Sequence, residues 1–126
     1  MKVIGLGIDI CKNARMQRIL DNPVIKNRFI DKMLNPQEKR EDIKAQFLAS
    51  RWAVKEAVYK AAGNQLLLFP EIIVKKSDDG QPSIEYIGST KDKLAKKGVT
   101  STWVSISHED EYSVAVVLLC GIHNPA

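Results

Sequence analysis

From Gln37 to Ala62 the chain runs without a glycine or a proline, the longest such stretch it contains. Asn35-Pro36 in front reads as a helix N-cap followed by the first helical position. Gly63-Asn64 behind reads as a helix stop. The pattern predicts one long helix over Gln37–Ala62. Ile43, Phe47, Val54, Ala57, Val58 and Ala61 supply most of its apolar face.

The rest of the chain divides around that helix. Met1–Ile10 (MKVIGLGIDI) alternates Leu6, Ile8 and Ile10 with period two and reads as a strand. Gly5 and Gly7 in it permit close backbone approach, and Asp9 falls on the face opposite Ile8 and Ile10. Two short helices are expected at Asn13–Asp21 and Val24–Met33, broken by Asn22-Pro23. The first has Met16, Ile19 and Leu20 on one stripe, with Arg15 and Arg18 beside it. The second carries Arg28, Phe29 and Ile30. After the apolar loop Leu66–Phe69, strands Glu71–Lys76 and Ser83–Ile87 flank Asp78-Asp79-Gly80, a strong hairpin signal. A short solvated helix, Thr90–Lys97, closes at Gly98. Strands Ser101–Ser107 and Tyr112–Leu119 are joined by an acidic turn, His108-Glu109-Asp110-Glu111. With helices gathered in the first half and hairpins in the second, the fold class is α+β, with a mostly antiparallel sheet, one long helix and several short ones.

No linker, internal repeat or low-complexity segment interrupts the chain. Its 126 residues suit one domain, 1–120, with a frayed tail at 121–126, and suffice to bury a core without staples. No apolar run approaches a membrane span and no signal-peptide pattern opens the chain. Two cysteines, Cys11 and Cys120, make neither a disulfide framework nor a metal cluster. A cytoplasmic location is the expectation. Nineteen Lys+Arg against fifteen Asp+Glu give a net charge of +4, which favours acidic partners: nucleic acid, an acidic protein or a phosphorylated small molecule.

Three places can carry chemistry. Asp9 at the end of an apolar strand is either desolvated and paired or holds a cation, or it is an N-cap or loop-satisfying residue leading into the next helix. Glu56 and Lys60 share a helix face four residues apart, with Trp52 one turn before Glu56. That spacing is either a surface ion pair or part of a site. His108 ends the strand Trp103–Ser107, as a structural residue or as a phosphate donor. Taken together, Asp9 and Glu56 suit one Mg²⁺, which prefers one or two carboxylates, water and substrate phosphate oxygens. Arg51, Lys60 and His108 supply charge for those phosphates. Zinc spacing, a Walker loop and nucleophile-elbow motifs are all missing from the sequence. The chemistry suggested is metal-assisted phosphoryl-type transfer.

Gly5-Leu6-Gly7-Ile8-Asp9-Ile10, the segment Phe47–Ala61 (FLASRWAVKEAVYKA) and Ser105-Ile106-Ser107-His108 resemble, in order and spacing, the three signatures of the holo-[acyl-carrier-protein] synthases. These are the small branch of the 4′-phosphopantetheinyl transferases. The resemblance covers about residues 1–120. It implies transfer of the 4′-phosphopantetheine arm of coenzyme A to a serine of apo-acyl carrier protein, with release of adenosine 3′,5′-bisphosphate and a need for Mg²⁺. It also implies that Asp9 and Glu56 are the metal ligands, Glu56 the route for the serine proton, and Lys60 a phosphate-binding lysine. Arg51, Ser107 and His108 then contact coenzyme A, with His108 near the 3′-phosphate. Small members are homotrimers with interfacial sites, which implies that His108 serves its neighbour's Asp9 and Glu56. Acyl carrier proteins are acidic, so the resemblance assigns Arg15, Arg18 and Arg28 to docking, with Met16 and Phe29 nearby. The chain departs from the pattern twice. Cys11 stands where the family usually has Val or Thr, and Gly63-Asn64-Gln65-Leu66-Leu67-Leu68 replaces a longer Gly-Thr-Gly loop.

The competing reading is a small basic RNA-binding module. It needs clustered Lys/Arg with exposed aromatics. Aromatics are only 6% of the chain, both tryptophans lie inside the signatures, and Asp78, Asp79 and Asp92 dilute the lysine runs. Neither nucleic acid nor membrane is expected as a partner.

Overall fold

The computed structural model of the chain describes residues 1–63 and 65–122. The elements in chain order are β1 (Lys2–Lys12), α1 (Asn13–Leu20), α2 (Lys26–Met33), α3 (Ala45–Ala61), β2 (Ile72–Lys76), β3 (Pro82–Tyr86), α4 (Gly88–Lys96), β4 (Ser101–His108) and β5 (Tyr112–Gly121), with single 3₁₀ turns at Pro36–Glu38 and Phe69–Glu71. All strand pairing is antiparallel. One sheet has the order β1-β5-β4 and the other is the β2-β3 hairpin. The Tyr86 and Thr102 hydroxyls meet at 2.9 Å and join hairpin to sheet. Burial pushes the Tyr86 hydroxyl up to about 12.

The long helix begins eight residues later than the unbroken run predicts. Asn35 does cap: its side chain accepts from Gln37 N–H and Glu38 completes a capping box, but only around one 3₁₀ turn. Glu38 is then committed to buried contacts with α3 and β2, and Lys39 is extended. The chain therefore has to leave the turn before it can start α3, and Ile43 lies outside the helix. The C-terminal end falls as expected. Gly63 adopts φ +75°, a left-handed conformation that glycine holds without strain. Asn64 lies outside the described residues.

α3 is the centre of the fold. Leu48, Ala49, Ala53, Val54, Ala57, Val58 and Ala61 are buried on it, so it is enclosed on more than one side. It packs on the inner face of the β1-β5-β4 sheet and against α1 and β2. That face is built from Gly5, Gly7 and Cys11 of β1 and Ala115, Val117 and Leu119 of β5. A Cβ on Gly7 would overlap the Ala57 carbonyl, and one on Gly5 the Ala61 carbonyl. The glycines thus let a strand lie directly on helix backbone, which brings Asp9 to the α3 surface.

The alternation of β1 is as read, and its apolar set faces outward. Leu6, Ile8 and Ile10 are 60–65% exposed. They align across the sheet with Leu118, Val116 and Val114, and onward with Trp103, Ser105 and Ser107. The outer face of the sheet is therefore a broad apolar surface in the single chain. Gly121, expected in a frayed tail, is a buried end of β5. Residues 123–126 lie outside the described residues. Among the described residues, no helix is long and apolar enough to cross a membrane.

Candidate active site

Asp9 lies on the inner face of β1, opposite Ala115, with its side chain 14% exposed. Lys60, one turn after Glu56 on α3, places Nζ 2.9 Å from Asp9 Oδ1 and 3.0 Å from the Ile8 carbonyl. Glu56 is half-buried. Its carboxyl is held above the ordinary range, first by burial and then by the negative charge of Asp9; Lys60 and Arg15 oppose that rise. The two carboxylates therefore repel each other across the β1–α3 seam, with Lys60 bracing one of them. The Lys60 ammonium is thus engaged by Asp9 and the Ile8 carbonyl of β1.

This donor set fits a hard divalent cation. Two carboxylates close enough to feel each other's charge, with room left for water and phosphate oxygens as ligands, match Mg²⁺. Among the described residues no group of three or more His, Cys, Asp or Glu side chains could hold a metal, which matches neither a structural zinc site nor a calcium cage. Cys11, next along the same face, is 2% exposed, and burial, as the largest cause, pushes its thiol up. It is a small core residue, not a nucleophile.

Arg51 and His108 meet elsewhere. They line a cleft of about 230 Å³ with Ser50, Lys75, Lys76 and Pro82, between α3, the β2-β3 hairpin and the end of β4. The Arg51 guanidinium lies 4.3 Å from the Phe47 ring centroid, and its buried Nε stands 3.9 Å from Glu38 Oε2 without a hydrogen-bond partner. The Gln46 amide nitrogen meets His108 Nδ1 at 3.0 Å and braces the ring. Lys75 and Lys76 received no role from the sequence, because a basic pair beside a hairpin looks like solvated surface. Ser107 is not in this cleft. One residue before His108 on a strand, it points to the outer face beside Val114. None of Asp9, Glu56 or Lys60 lines the cleft, so one chain holds the predicted residues in two groups.

Arg15 sits on the Asp9 side, where its charge acts on Glu56 and Cys11. Arg15 lies 5.0 Å from the Trp52 ring centroid, and Trp52 is packed between Phe29 and Phe69 at 5.6 and 5.5 Å. Arg18 and Arg28 are exposed on α1 and α2. Met16 is fully buried and is a core residue, not part of an exposed surface; the apolar side chains open to solvent here are Val24 and Ile25. In the altered loop, Leu66 and Leu68 are exposed while Leu67 is buried, and Lys93 Nζ holds the Leu66 carbonyl at 2.6 Å.

Sequence reasoning missed Lys55. It is wholly buried, with Nζ donating to Glu38 Oε1 at 2.6 Å, the Met33 carbonyl at 2.7 Å and the Phe69 carbonyl at 3.0 Å. Burial, the dominant cause, lowers its pKa. Glu38 also accepts from the Asn35 and Val74 N–H groups. This pair fixes α3 against the two 3₁₀ turns and β2, and so sets the rotation that aims Arg51, Glu56 and Lys60. The one available signal was the capping-box spacing of Asn35 and Glu38.

Three kinds of similarity to known proteins accompany this geometry. The family model of the 4′-phosphopantetheinyl transferase superfamily matches residues 5–117. The holo-[acyl-carrier-protein] synthases of Hydrogenovibrio crunogenus and Maridesulfovibrio salexigens are 34% and 36% identical over 121 and 124 residues, covering 92% and 93% of this chain and 95% and 98% of theirs. Among solved structures, the holo-ACP-synthase of Plasmodium yoelii superposes with a TM-score of 0.84 at 30% identity, covering 96% of this chain and 97% of that one. The Helicobacter pylori holo-[acyl-carrier-protein] synthase in complex with coenzyme A gives 0.77 at 30% identity, covering 91% and 99%.

Proposed function

This chain belongs to the 4′-phosphopantetheinyl transferase superfamily, and on that premise we propose that it is a holo-[acyl-carrier-protein] synthase. It moves the 4′-phosphopantetheine arm of coenzyme A to a serine of apo-acyl carrier protein and releases adenosine 3′,5′-bisphosphate. The observation that carries the reading is the β1–α3 seam, where Lys60, one turn after Glu56, contacts Asp9 at 2.9 Å and the Asp9 charge helps to raise the Glu56 carboxyl.

In the reaction, the serine oxygen attacks the phosphorus that bears pantetheine. The bond from that phosphorus to the bridging oxygen breaks, and the electron pair leaves with adenosine 3′,5′-bisphosphate. Glu56, made more basic by burial and by Asp9, takes the serine proton. Lys60 is placed to neutralise charge on the pyrophosphate as the bridging bond breaks. Asp9 and Glu56 would hold Mg²⁺, which when bound supplies further charge neutralisation on the phosphates. Arg51 and His108 bind coenzyme A phosphates in the cleft, and Ser107, which faces outward, takes no part in it. Arg15, Arg18 and Arg28 receive the acidic carrier protein, and their charges steer its approach.

The active unit is a homotrimer. The outer sheet face carries Val3, Leu6, Ile8, Ile10 and Trp103, each more than half exposed. A contiguous apolar patch of this kind is an interface, and copies of the chain closing over it also explain why the two residue groups are apart. His108 of one subunit then completes the seam of the next. The setting is the cytoplasm. The RNA-binding alternative finds no support: Trp52 is enclosed by Phe29 and Phe69 and offers no stacking platform.

The test is intact-mass spectrometry of an apo-acyl carrier protein incubated with this chain, coenzyme A and Mg²⁺. The proposal expects a gain of one phosphopantetheine, abolished by EDTA and by Glu56→Ala. No gain across several carrier proteins, with no binding of coenzyme A, removes it.

A further inference from the structure

Asn13 opens α1 and is buried. Its Nδ2 donates to the carbonyls of Glu109 at 3.3 Å and Asp110 at 3.1 Å, and its backbone N–H donates to the carbonyl of Glu111 at 2.9 Å. Those are the three residues directly after His108. On its other side, Oδ1 accepts from the buried Ser113 hydroxyl at 2.9 Å, and Ser113 accepts from Ser50, the neighbour of Arg51, at 3.4 Å. Carbonyls only accept hydrogen bonds, so the amide has one orientation and every polar atom of it is used. Ser113 is also the residue paired with His108 between β4 and β5. Nothing in the transfer chemistry uses Asn13, yet it ties the turn after His108 to α1 and, through Ser113, to the helix that carries Arg51.

The turn itself poses a problem that this network solves. Glu109, Asp110 and Glu111 are three consecutive exposed acids beside a phosphate-binding cleft. Left loose, they would bring like charge toward an anionic ligand. Drawing their three carbonyls inward to one residue fixes the backbone of the turn and with it the position of His108.

We propose that Asn13 is a positioning residue for coenzyme A recognition, acting through His108. The inference rests on the reading of His108 as a coenzyme A phosphate contact. It is tested by a double-mutant cycle on the full chain, with calorimetric titration of coenzyme A into wild type, Asn13→Ala, His108→Ala and the double variant, alongside steady-state kinetics. Asn13→Ala is expected to raise the Kd for coenzyme A by about tenfold, with kcat and the KM for carrier protein little changed. In the His108→Ala background it should cause no further loss, a non-additivity that a purely structural role would not give. Ser113→Ala, which removes the contact on Oδ1 and the acceptor for Ser50 but leaves the Asn13 bonds to the turn, should move Kd in the same direction by less, and it carries the cycle if Asn13→Ala does not fold. If His108→Ala weakens binding while Asn13→Ala leaves Kd unchanged, or the two losses multiply, the proposal is overturned and the role of His108 stands. If His108→Ala leaves coenzyme A binding unchanged, the reading of His108 fails and the proposal falls with it.

Discussion

Replacing Lys55 by methionine tests the packing argument at its most demanding point. The ammonium is wholly buried and has three acceptors within 3.0 Å. Methionine fills similar volume but leaves the Met33 and Phe69 carbonyls without that donor and Glu38 without its counter-charge. Removing one member of a buried pair costs about 3–5 kcal/mol. Glu38 keeps two backbone N–H donors and the nearby Arg51, which places the expected loss near the lower end, about 3 kcal/mol. With a urea slope of about 1.5 kcal/mol per molar, the unfolding midpoint falls by about 2 M. Adding Glu38→Gln removes the stranded charge, so the double variant should be more stable than Lys55→Met alone despite carrying one more change. Urea denaturation followed by far-ultraviolet circular dichroism measures both. A loss below about 1 kcal/mol for Lys55→Met, or a double variant weaker than either single one, would refute the buried-pair account.

Other consequences follow from the same structure. The Glu56 carboxyl is raised from its ordinary 4.5 in the folded state, so the folded chain holds that proton more tightly than the unfolded one. Stability is lost as pH rises from 4.5 through the raised value, and the penalty persists above it. Glu56→Gln should therefore raise the metal-free Tm at neutral pH, with the gain vanishing below pH 4.5; Tm against pH reads it, and a gain independent of pH contradicts it. Ile8→Asp, on the outer sheet face, should convert the assembly to monomers in light scattering and abolish transfer while leaving the monomer folded; a trimer of unchanged mass would count against that interface. Arg15→Glu should raise the KM for carrier protein by about tenfold at low salt and less at high salt, with the KM for coenzyme A unaltered.

The elements with local causes were legible in the residues alone. Asp78-Asp79-Gly80 marks the β2-β3 hairpin, Gly63 marks the end of α3, and the β4 and β5 alternation gives the second hairpin. The spacing of Glu56 and Lys60, with Asp9 on the face opposite Ile8, already named the residues that the fold gathers where β1 crosses α3. What depends on partners distant in sequence was not legible. Lys55 looks like a surface lysine until Glu38, Met33 and Phe69 are seen around it. The start of α3 is delayed because Glu38 is consumed by those contacts, which no local propensity reports. The period of β1 identifies the strand without saying which face meets α3; Gly5 and Gly7 decide that, since only a face without Cβ atoms can lie on the Ala57 and Ala61 carbonyls. Asn13 carries no signal at all, as its partners lie at the far end of the chain.

If Asp9, Glu56 and Lys60 form the chemical centre for phosphopantetheine transfer, removing any one of them slows the transfer step itself. The most direct measurement is the single-turnover rate of transfer from coenzyme A to apo-acyl carrier protein under saturating Mg²⁺, followed by intact mass, for Asp9→Asn, Glu56→Gln and Lys60→Met. Each variant is expected to stay folded and to lose at least about a hundredfold in rate. A wild-type rate in either carboxylate variant would contradict it.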